Sequence, residues 1–352
     1  MRPRDPGKFA STQYDILVVG GGIHGLACAY EAASRGLRVA LVDAGDFGGA
    51  TSFNHQKTAH GGLRSLQSLS IGRARESIRE RRALARIAPW LLRPLPFLVG
   101  TYRSMTRSRP ALRAAFALDK WIGRHRNDGI EPELHLPPAR LLSKTATLKL
   151  FPGIRRQGLT GGAQWYDYQM IENDRLTFAF AAAADRAGAD LANHIEVRAL
   201  TRKDGRFSAR LHDSLTRADL EVEARAIVNA AGARAGTVMS MLGISRAFPL
   251  VKALNLVTSK PAADIALAAS DANGRMLTLV PWRGRAIVGT GQFPMTASAA
   301  SDITGEDVER FIGDANHAFP ALQIGPADVT LVHRGLVPGA PRAADPAALL
   351  GA

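Results

Sequence analysis

The pattern of apolar and polar positions divides the chain into two styles. Residues 14–19, YDILVV, form an apolar run that stops in GGGIHG, and residues 23–35 then carry alanine-rich helical spacing as far as SRG. This reads as strand, glycine turn, helix. The segment LRVALVDAG adds a second strand that ends at Asp43. Helical periodicity returns at about 71–87, 109–124 and 173–187, with Asn173 or Asp174 as the N-cap of the last. Strand patterns fill much of the remainder: AQWYDYQM, LANHIEVRAL, FSARLHD, LEVEARAIVNAAG, PLVKALNLVTS, RMLTLVPW and RAIVGTGQF. An α/β opening that yields to a strand-rich meander predicts a mixed α/β and α+β fold. The expected arrangement is a Rossmann-like nucleotide-binding domain interleaved with a domain built on a mostly antiparallel sheet. The tail, residues 341–352, is rich in Ala and Pro and predicts no packed element.

At 352 residues and 46% hydrophobic content the chain can bury a substantial core. Its single cysteine, Cys28, excludes an internal disulfide and any multi-cysteine metal site. The setting ACAYEAA reads Cys28 as a small core residue, and no metal chemistry is suggested elsewhere. The first dozen residues, MRPRDPGKFAST, lack the apolar stretch of a signal peptide and read as a flexible leader. No run reaches the roughly 18 apolar residues of a membrane-spanning helix, since APWLLRPLPFLVG is broken by Arg93, Pro94 and Pro96.

Charge changes this picture in one region. Between Arg73 and Arg126, 14 Lys and Arg stand against 3 Asp and Glu, which is most of the net charge of +14. Trp90, Tyr102, Trp121 and several leucines share the block. Such a surface suits an anionic membrane, or anionic metabolites, or is simply a basic face without a partner. Nucleic acid is the weakest reading, because no nucleic-acid module is present.

Gly20, Gly22 and Gly25 form G-x-G-x-x-G between the first strand and the helix. The first glycine permits the tight turn, the second lets backbone approach a pyrophosphate, and the third allows close helix–strand packing. Asp43 stands near the spacing expected for a carboxylate on ribose hydroxyls, which disfavours NADP but does not separate NAD from FAD. A second pattern, QKTAHGGLRSLQS, places His60 and Arg64 on either side of Gly61 and Gly62. Read alone, it fits a polar turn as well as a reacting site.

Taken in order with the fingerprint, the segments ATSFNHQKTAHGGLRSLQ, ESIRERRALARIAPWLLRPLPFL, YDYQMIENDRLT, IVNAAGARAG and VPWRGRAIVGT resemble the FAD-dependent glycerol-3-phosphate dehydrogenase family, among the D-amino-acid-oxidase-like flavin oxidoreductases. The resemblance implies FAD as cofactor, held by Gly20, Gly22 and Gly25 at the pyrophosphate and by Asp43 at the adenosine ribose. It places Thr51 and Ser52 along the flavin phosphate and ring side, and Lys57, Gly61 and Gly62 beside the cofactor. It matches the Val197 backbone to the adenine, and Ala230, Ala231 and Gly232 to a small-residue turn close to FAD. The implied discontinuous FAD-binding domain comprises 13–90, 150–240 and 328–340, with a substrate domain and basic helical region at 91–149 and 241–327.

The implied activity is oxidation of a small hydroxylated, anionic substrate, with electrons passed to a quinone or other acceptor. The implied setting is cytoplasmic, at the inner face of the cell membrane. His60 is the leading base for the hydroxyl proton, since neutral imidazole is available near pH 7. Arg64 is expected to hold an anionic group or to stabilise charge on the reduced cofactor, with His333 and Arg334 as further catalytic candidates. Three departures qualify the resemblance: Ser65 stands in place of the family's tyrosine, Val337 in place of its arginine, and the glycine-rich GGK segment is not met before Ala352. An amino-acid oxidase or dehydrogenase of the same fold group is the alternative. A truncated, non-catalytic FAD-binding remnant is the third reading.

Overall fold

The structure is a computed structural model that describes residues 1–61, 70–102, 109–246, 249–295 and 302–339. In chain order its strands are β1 (Gln13–Val19), β2 (Val39–Val42), β3 (Thr58–Ala59), β4 (Leu92–Tyr102), β5 (Arg140–Ser143), β6 (Leu159–Met170), β7 (Asp190–Ala192) and β8 (Ile195–Lys203). They continue with β9 (Arg206–Asp213), β10 (Asp219–Asn229), β11 (Leu250–Pro261), β12 (Ala266–Ser270), β13 (Met276–Trp282), β14 (Arg285–Pro294) and β15 (Val329–Pro338).

One sheet runs β7-β2-β1-β10-β9-β8. Its β7-β2-β1-β10 part is parallel, and β10-β9-β8 is an antiparallel extension. The apolar run in β1 is continuous because both faces are covered. Leu17 and Val19 pack with Phe9, Tyr14 and Val222 on one side, and Val18 packs with Leu26, Ala29, Ala181 and Ala184 on the other. The helices Ile23–Ser34 and Asn173–Arg186 supply that second side.

The second sheet runs β15-β11-β14-β13-β12-β4-β6-β3, with β5 also on β6, and is antiparallel except where β12 meets β4. Its core joins Leu254, Leu256, Leu279 and Val288 to Phe311 and Ala315 of the helix Gly305–Ala318. β3, β6 and β15 belong to this sheet, although the sequence division groups their segments with the nucleotide-binding part. The physical reason is antiparallel pairing: β6 with β4 from Leu92↔Met170 to Tyr102↔Leu159, β3 with β6, and β15 with β11.

Three local expectations change. The leader is packed rather than loose: Phe9 is buried in a short helix, Gly7–Ser11, while Arg4 pairs with Asp213, Arg2 with Asp185 and Lys8 with Asp190. Cys28 is exposed, because it turns off the helix stripe formed by Leu26, Ala29 and Ala33. Glu172, not Asn173 or Asp174, is the N-cap of the helix Asn173–Arg186. Asn173 is buried and donates instead to the Ser52 carbonyl at 2.8 Å. The tail 341–352 lies outside the described residues.

Candidate functional site

The glycine fingerprint forms the expected strand-to-helix turn. Gly20 has φ +108°, and a Cβ there would run into the Ala230 carbonyl; a Cβ at Gly25 would overlap the Gly20 carbonyl. Only glycine fits either place. Gly22 is the N-cap of the helix Ile23–Ser34, without a side-chain cap, and the first turn carries no acidic residue. That end therefore keeps its partial positive charge for an anion. Ser52 Oγ accepts the Ile23 N–H at 3.0 Å, which places Ser52 at the helix terminus.

The half-buried Asp43 carboxylate accepts N–H bonds from Gly21 at 2.6 Å and Gly45 at 2.8 Å. The Ile195 N–H donates to the Asp43 carbonyl at 2.7 Å, so β8 starts beside the acid, and Val197 lies buried at a register shift in that strand. Ala230 N–H bonds the Val19 carbonyl at 2.8 Å. After Ala231, Gly232 has φ +56°, and a Cβ there would meet nothing within 4 Å. The turn thus opens toward empty space beside the glycine loop.

One continuous segment, Ala50–Gly61, leads from this cradle to the histidine. Gln56 Nε2 donates to the Thr278 carbonyl at 3.0 Å, and β3 then pairs with β6 as Thr58↔Gln169 and Ala59↔Tyr168. One step further along this register, His60 meets Asp167. Its Nδ1 lies 3.2 Å from Asp167 Oδ2, and its Nε2 lies 3.0 Å from Thr58 Oγ1. The His60 side chain is 56% exposed and that of Asp167 only 4%, so the carboxylate works from inside on an imidazole that reaches outside.

Asp167 is absent from the sequence-based candidates. It accepts the Gly61 N–H at 2.7 Å and Trp165 Nε1–H at 3.3 Å, and it is ion-paired to the buried Arg81. Burial raises its carboxyl pKa, but His60, Arg81 and the Gly61 N–H outweigh burial and hold it below the ordinary carboxylate range. A lone acid in an apolar strand, AQWYDYQM, was the one signal in the sequence. Phe97 lies 5.8 Å from the His60 ring and stacks on Trp165 at 5.3 Å.

His333 and Arg334 are neighbours on β15, and strand alternation turns them to opposite faces. His333 is fully buried between the rings of Phe53 and Trp282, at 5.4 and 6.0 Å. A side chain without exposure does not touch a substrate, which corrects the expectation of a catalytic contact there. Burial first, and then the Lys57 ammonium, push the His333 imidazole down to about 4. His55 is pushed down to about 4 as well, by burial and then by Lys57. Lys57 is also buried: its Nζ donates to the Phe53 carbonyl at 2.6 Å and lies 4.0 Å over the Phe53 ring. Burial lowers its pKa to about 8. Its side chain therefore supports the segment from beneath.

Arg334 forms an exposed ion pair with Asp302 at 2.9 Å. Both line a cavity of about 280 Å³ with Ala50, Asn54, Ile303 and Leu336. Thr51 stands at its edge, with Oγ1 3.5 Å from the Leu336 carbonyl. Gly62, Arg64 and Ser65 lie outside the described residues. The structure thus brings together Gly20, Gly22, Gly25, Asp43 and Ser52 as one group, and joins His60 and Gly61 through Asp167 as another.

Residues 15–351 match the family described as FAD dependent oxidoreductase. The chain belongs to that family. Within it, the chain is 31% identical over 338 residues to a glycerol-3-phosphate dehydrogenase of Mycobacterium leprae, covering 94% of this chain and 56% of that protein. It is 30% identical over 352 residues to a glycerol-3-phosphate dehydrogenase of Synechocystis, covering 94% and 62%. The chain therefore spans little more than half the length of these curated relatives.

Among solved structures it is similar to the glycerol-3-phosphate dehydrogenase from Bacillus halodurans complexed with FAD, with TM-score 0.71 and 24% identity over 94% of this chain and 58% of that one. It is also similar to the L-alpha-glycerophosphate oxidase from Mycoplasma pneumoniae with FAD bound, with TM-score 0.68 and 17% identity over 93% and 84%. At these identities the likeness speaks for the fold.

The residues of this chain fit FAD. The side-chain-free approach at Gly20 and Gly25, the helix terminus at Gly22, the acid Asp43 and the open turn at Gly232 form a cradle for a dinucleotide. Gly25→Ala forces a methyl against the Gly20 carbonyl, an overpacking worth roughly 1–3 kcal/mol. FAD retention after purification is expected to fall about tenfold or more, read from flavin absorbance per protein. Wild-type retention would show that the turn can yield without loss.

Proposed function

We propose that this chain oxidises a small hydroxylated, anionic substrate of the glycerol 3-phosphate type, with hydride passing to FAD and electrons then to a quinone-type acceptor. The observation that carries this reading is His60, at the end of the segment that begins at the nucleotide cradle, with one ring nitrogen held by a buried carboxylate. When bound, FAD supplies the hydride acceptor. With Nδ1–H donating to Asp167, His60 Nε2 carries the lone pair that takes the substrate hydroxyl proton, in place of the Thr58 hydroxyl. Arg334 attracts the anionic group by exchanging its exposed partner Asp302 for the substrate. The curated relatives named glycerol-3-phosphate dehydrogenase support the choice of substrate class.

The test is anaerobic titration of the FAD-loaded protein with a panel of glycerol 3-phosphate, glycerol, hydroxy acids and amino acids. Bleaching of the flavin by glycerol 3-phosphate, and more weakly by glycerol, is expected. Bleaching by amino acids alone would replace this reading with the oxidase alternative.

A membrane surface as the place of electron delivery rests on the basic block. Among the described residues no helix is long and apolar enough to cross a membrane. Trp90 is 72% exposed and Trp121 56%, beside exposed Ile87, and the Arg75 guanidinium lies 5.5 Å from the Trp121 ring, joining the helices Ile71–Ile87 and Arg109–Ile122. Exposed aromatic rings among arginines suit an anionic interface. The protein is expected to co-sediment with phosphatidylglycerol vesicles, and the Trp90→Ala/Trp121→Ala double variant to bind roughly tenfold more weakly. Equal sedimentation of both proteins would remove these rings from any membrane contact.

A further inference from the structure

The carboxylate behind His60 is itself held by a residue from another element. Asp167 is almost wholly buried, and a carboxylate in that position keeps its charge only where neighbours offset its lost hydration. Arg81, on the helix Ile71–Ile87, is buried beside it and contributes a permanent positive charge. Arg81 Nη1 and the Gly61 N–H occupy Oδ1, while Trp165 Nε1–H and His60 Nδ1 meet Oδ2. Arg81 also donates to the Tyr166 carbonyl at 3.2 Å. A Cβ at Gly61 would overlap the Arg81 guanidinium, which gives this glycine a reason independent of any cofactor. Among the described residues, the other charged groups here are Asp119, at the end of the helix Arg109–Ile122, and Arg126 just after it. They form their own ion pair at 2.7 Å and line a small cavity with Gly61, Arg81 and Asp167.

We propose that Arg81 is a positioning residue that fixes the tautomer of His60 through Asp167. The inference rests on the reading of His60 as the base. With Arg81 present, Asp167 stays ionised and Oδ2 can only accept, so His60 bears its proton on Nδ1 and keeps a lone pair at Nε2, where a substrate hydroxyl can replace that of Thr58. Without the guanidinium, one of the charges that outweigh burial is lost, and Asp167 is expected to take a proton at neutral pH. Both donors on Oδ1 are then reduced to the Gly61 N–H, and the new O–H lies on Oδ2, facing His60. Nδ1 must now accept and the ring proton moves to Nε2, where it blocks uptake of a second proton from a substrate hydroxyl. The basic helix and the reacting histidine are thereby connected by one carboxylate.

The test is histidine-¹⁵N NMR of the FAD-loaded protein, with the His60 signals found by difference against His60→Asn. The Nδ1–H tautomer is expected in the wild type and in Arg81→Lys, which keeps the charge. In Arg81→Gln at neutral pH the Nε2–H tautomer is expected, reverting as pH rises and Asp167 ionises. Flavin reduction in that variant should be roughly a hundredfold slower at neutral pH and recover along the same pH curve. A purely structural role for Arg81 would not produce this matched recovery. If Arg81→Gln does not fold, Gly61→Ala is the second variant: its methyl displaces the guanidinium and should also populate Nε2–H. An unchanged Nδ1–H tautomer in a folded Arg81→Gln or Gly61→Ala protein overturns the inference. The tautomer is read without substrate, so failure of every substrate to bleach the flavin would count against the proposed oxidation alone.

Discussion

His60→Asn protein loaded with FAD is expected to keep its cofactor and to lose most of its ability to be reduced by substrate, with the rate falling roughly 10²- to 10⁴-fold. The cofactor cradle is built from Gly20, Gly22, Gly25, Asp43 and the Ala230–Gly232 turn, none of which depends on the imidazole. His60 meets the rest of the protein through Asp167, Thr58 and the Phe97 ring, and most of its side chain is exposed. Its loss should therefore remove a proton acceptor with little disturbance of packing. Asp167→Asn is expected to slow the same step by a comparable factor for a different reason. An amide turned toward Nδ1 offers an N–H, so the ring proton shifts to Nε2 and the base is capped. Stopped-flow flavin absorbance under anaerobic conditions measures both. Undiminished reduction in His60→Asn would take the histidine out of the reaction.

A marked loss of stability on mild acidification is the second large effect. Burial holds His55 and His333 at about 4, against an ordinary value of 6.5, with the Lys57 ammonium adding to burial in both. Below pH 6.5 the unfolded chain takes up protons at these positions and the folded protein refuses them until about pH 4. The balance therefore moves toward unfolding as pH falls through that window, and neither histidine contributes any pH dependence above it. Between pH 6.5 and 5 the loss amounts to about 2 kcal/mol for each histidine. His333→Phe removes one of the two and also removes ring nitrogens that have no hydrogen-bond partner among the described residues. Its unfolding midpoint should fall with acid about half as steeply as that of the wild type, followed by denaturant melts at each pH. Parallel acid profiles would mean that His333 accepts its proton in the folded state.

The legible parts of the sequence were those whose cause is local. The apolar run of β1 and the glycines after it declare a strand, a turn and a helix terminus, because their backbone demands are met within a few residues. Asp43 was legible for the same reason, as the end of the next strand. Asp167 and Arg81 were not, since their meeting with His60 depends on the β3–β6 register and on a helix packed across it. His333 and Arg334 show a related limit: alternation says that they face opposite ways, but only the packed sheet shows that His333 turns inward. The leader was misread because its polar residues find Asp185, Asp190 and Asp213 far along the chain. For the HGGLR pattern the outcome is divided. Gly61 is explained by Arg81, His60 gains a buried partner, and Gly62 and Arg64 lie outside the described residues.

The most direct measurement is anaerobic stopped-flow mixing of the FAD-loaded protein with sn-glycerol 3-phosphate, with and without deuterium at C2. A cradle that holds FAD and a histidine that removes the hydroxyl proton predict bleaching of the flavin, slowed by deuterium as hydride leaves C2. A flavin that stays oxidised in glycerol 3-phosphate, or bleaches at a rate indifferent to His60, would contradict it.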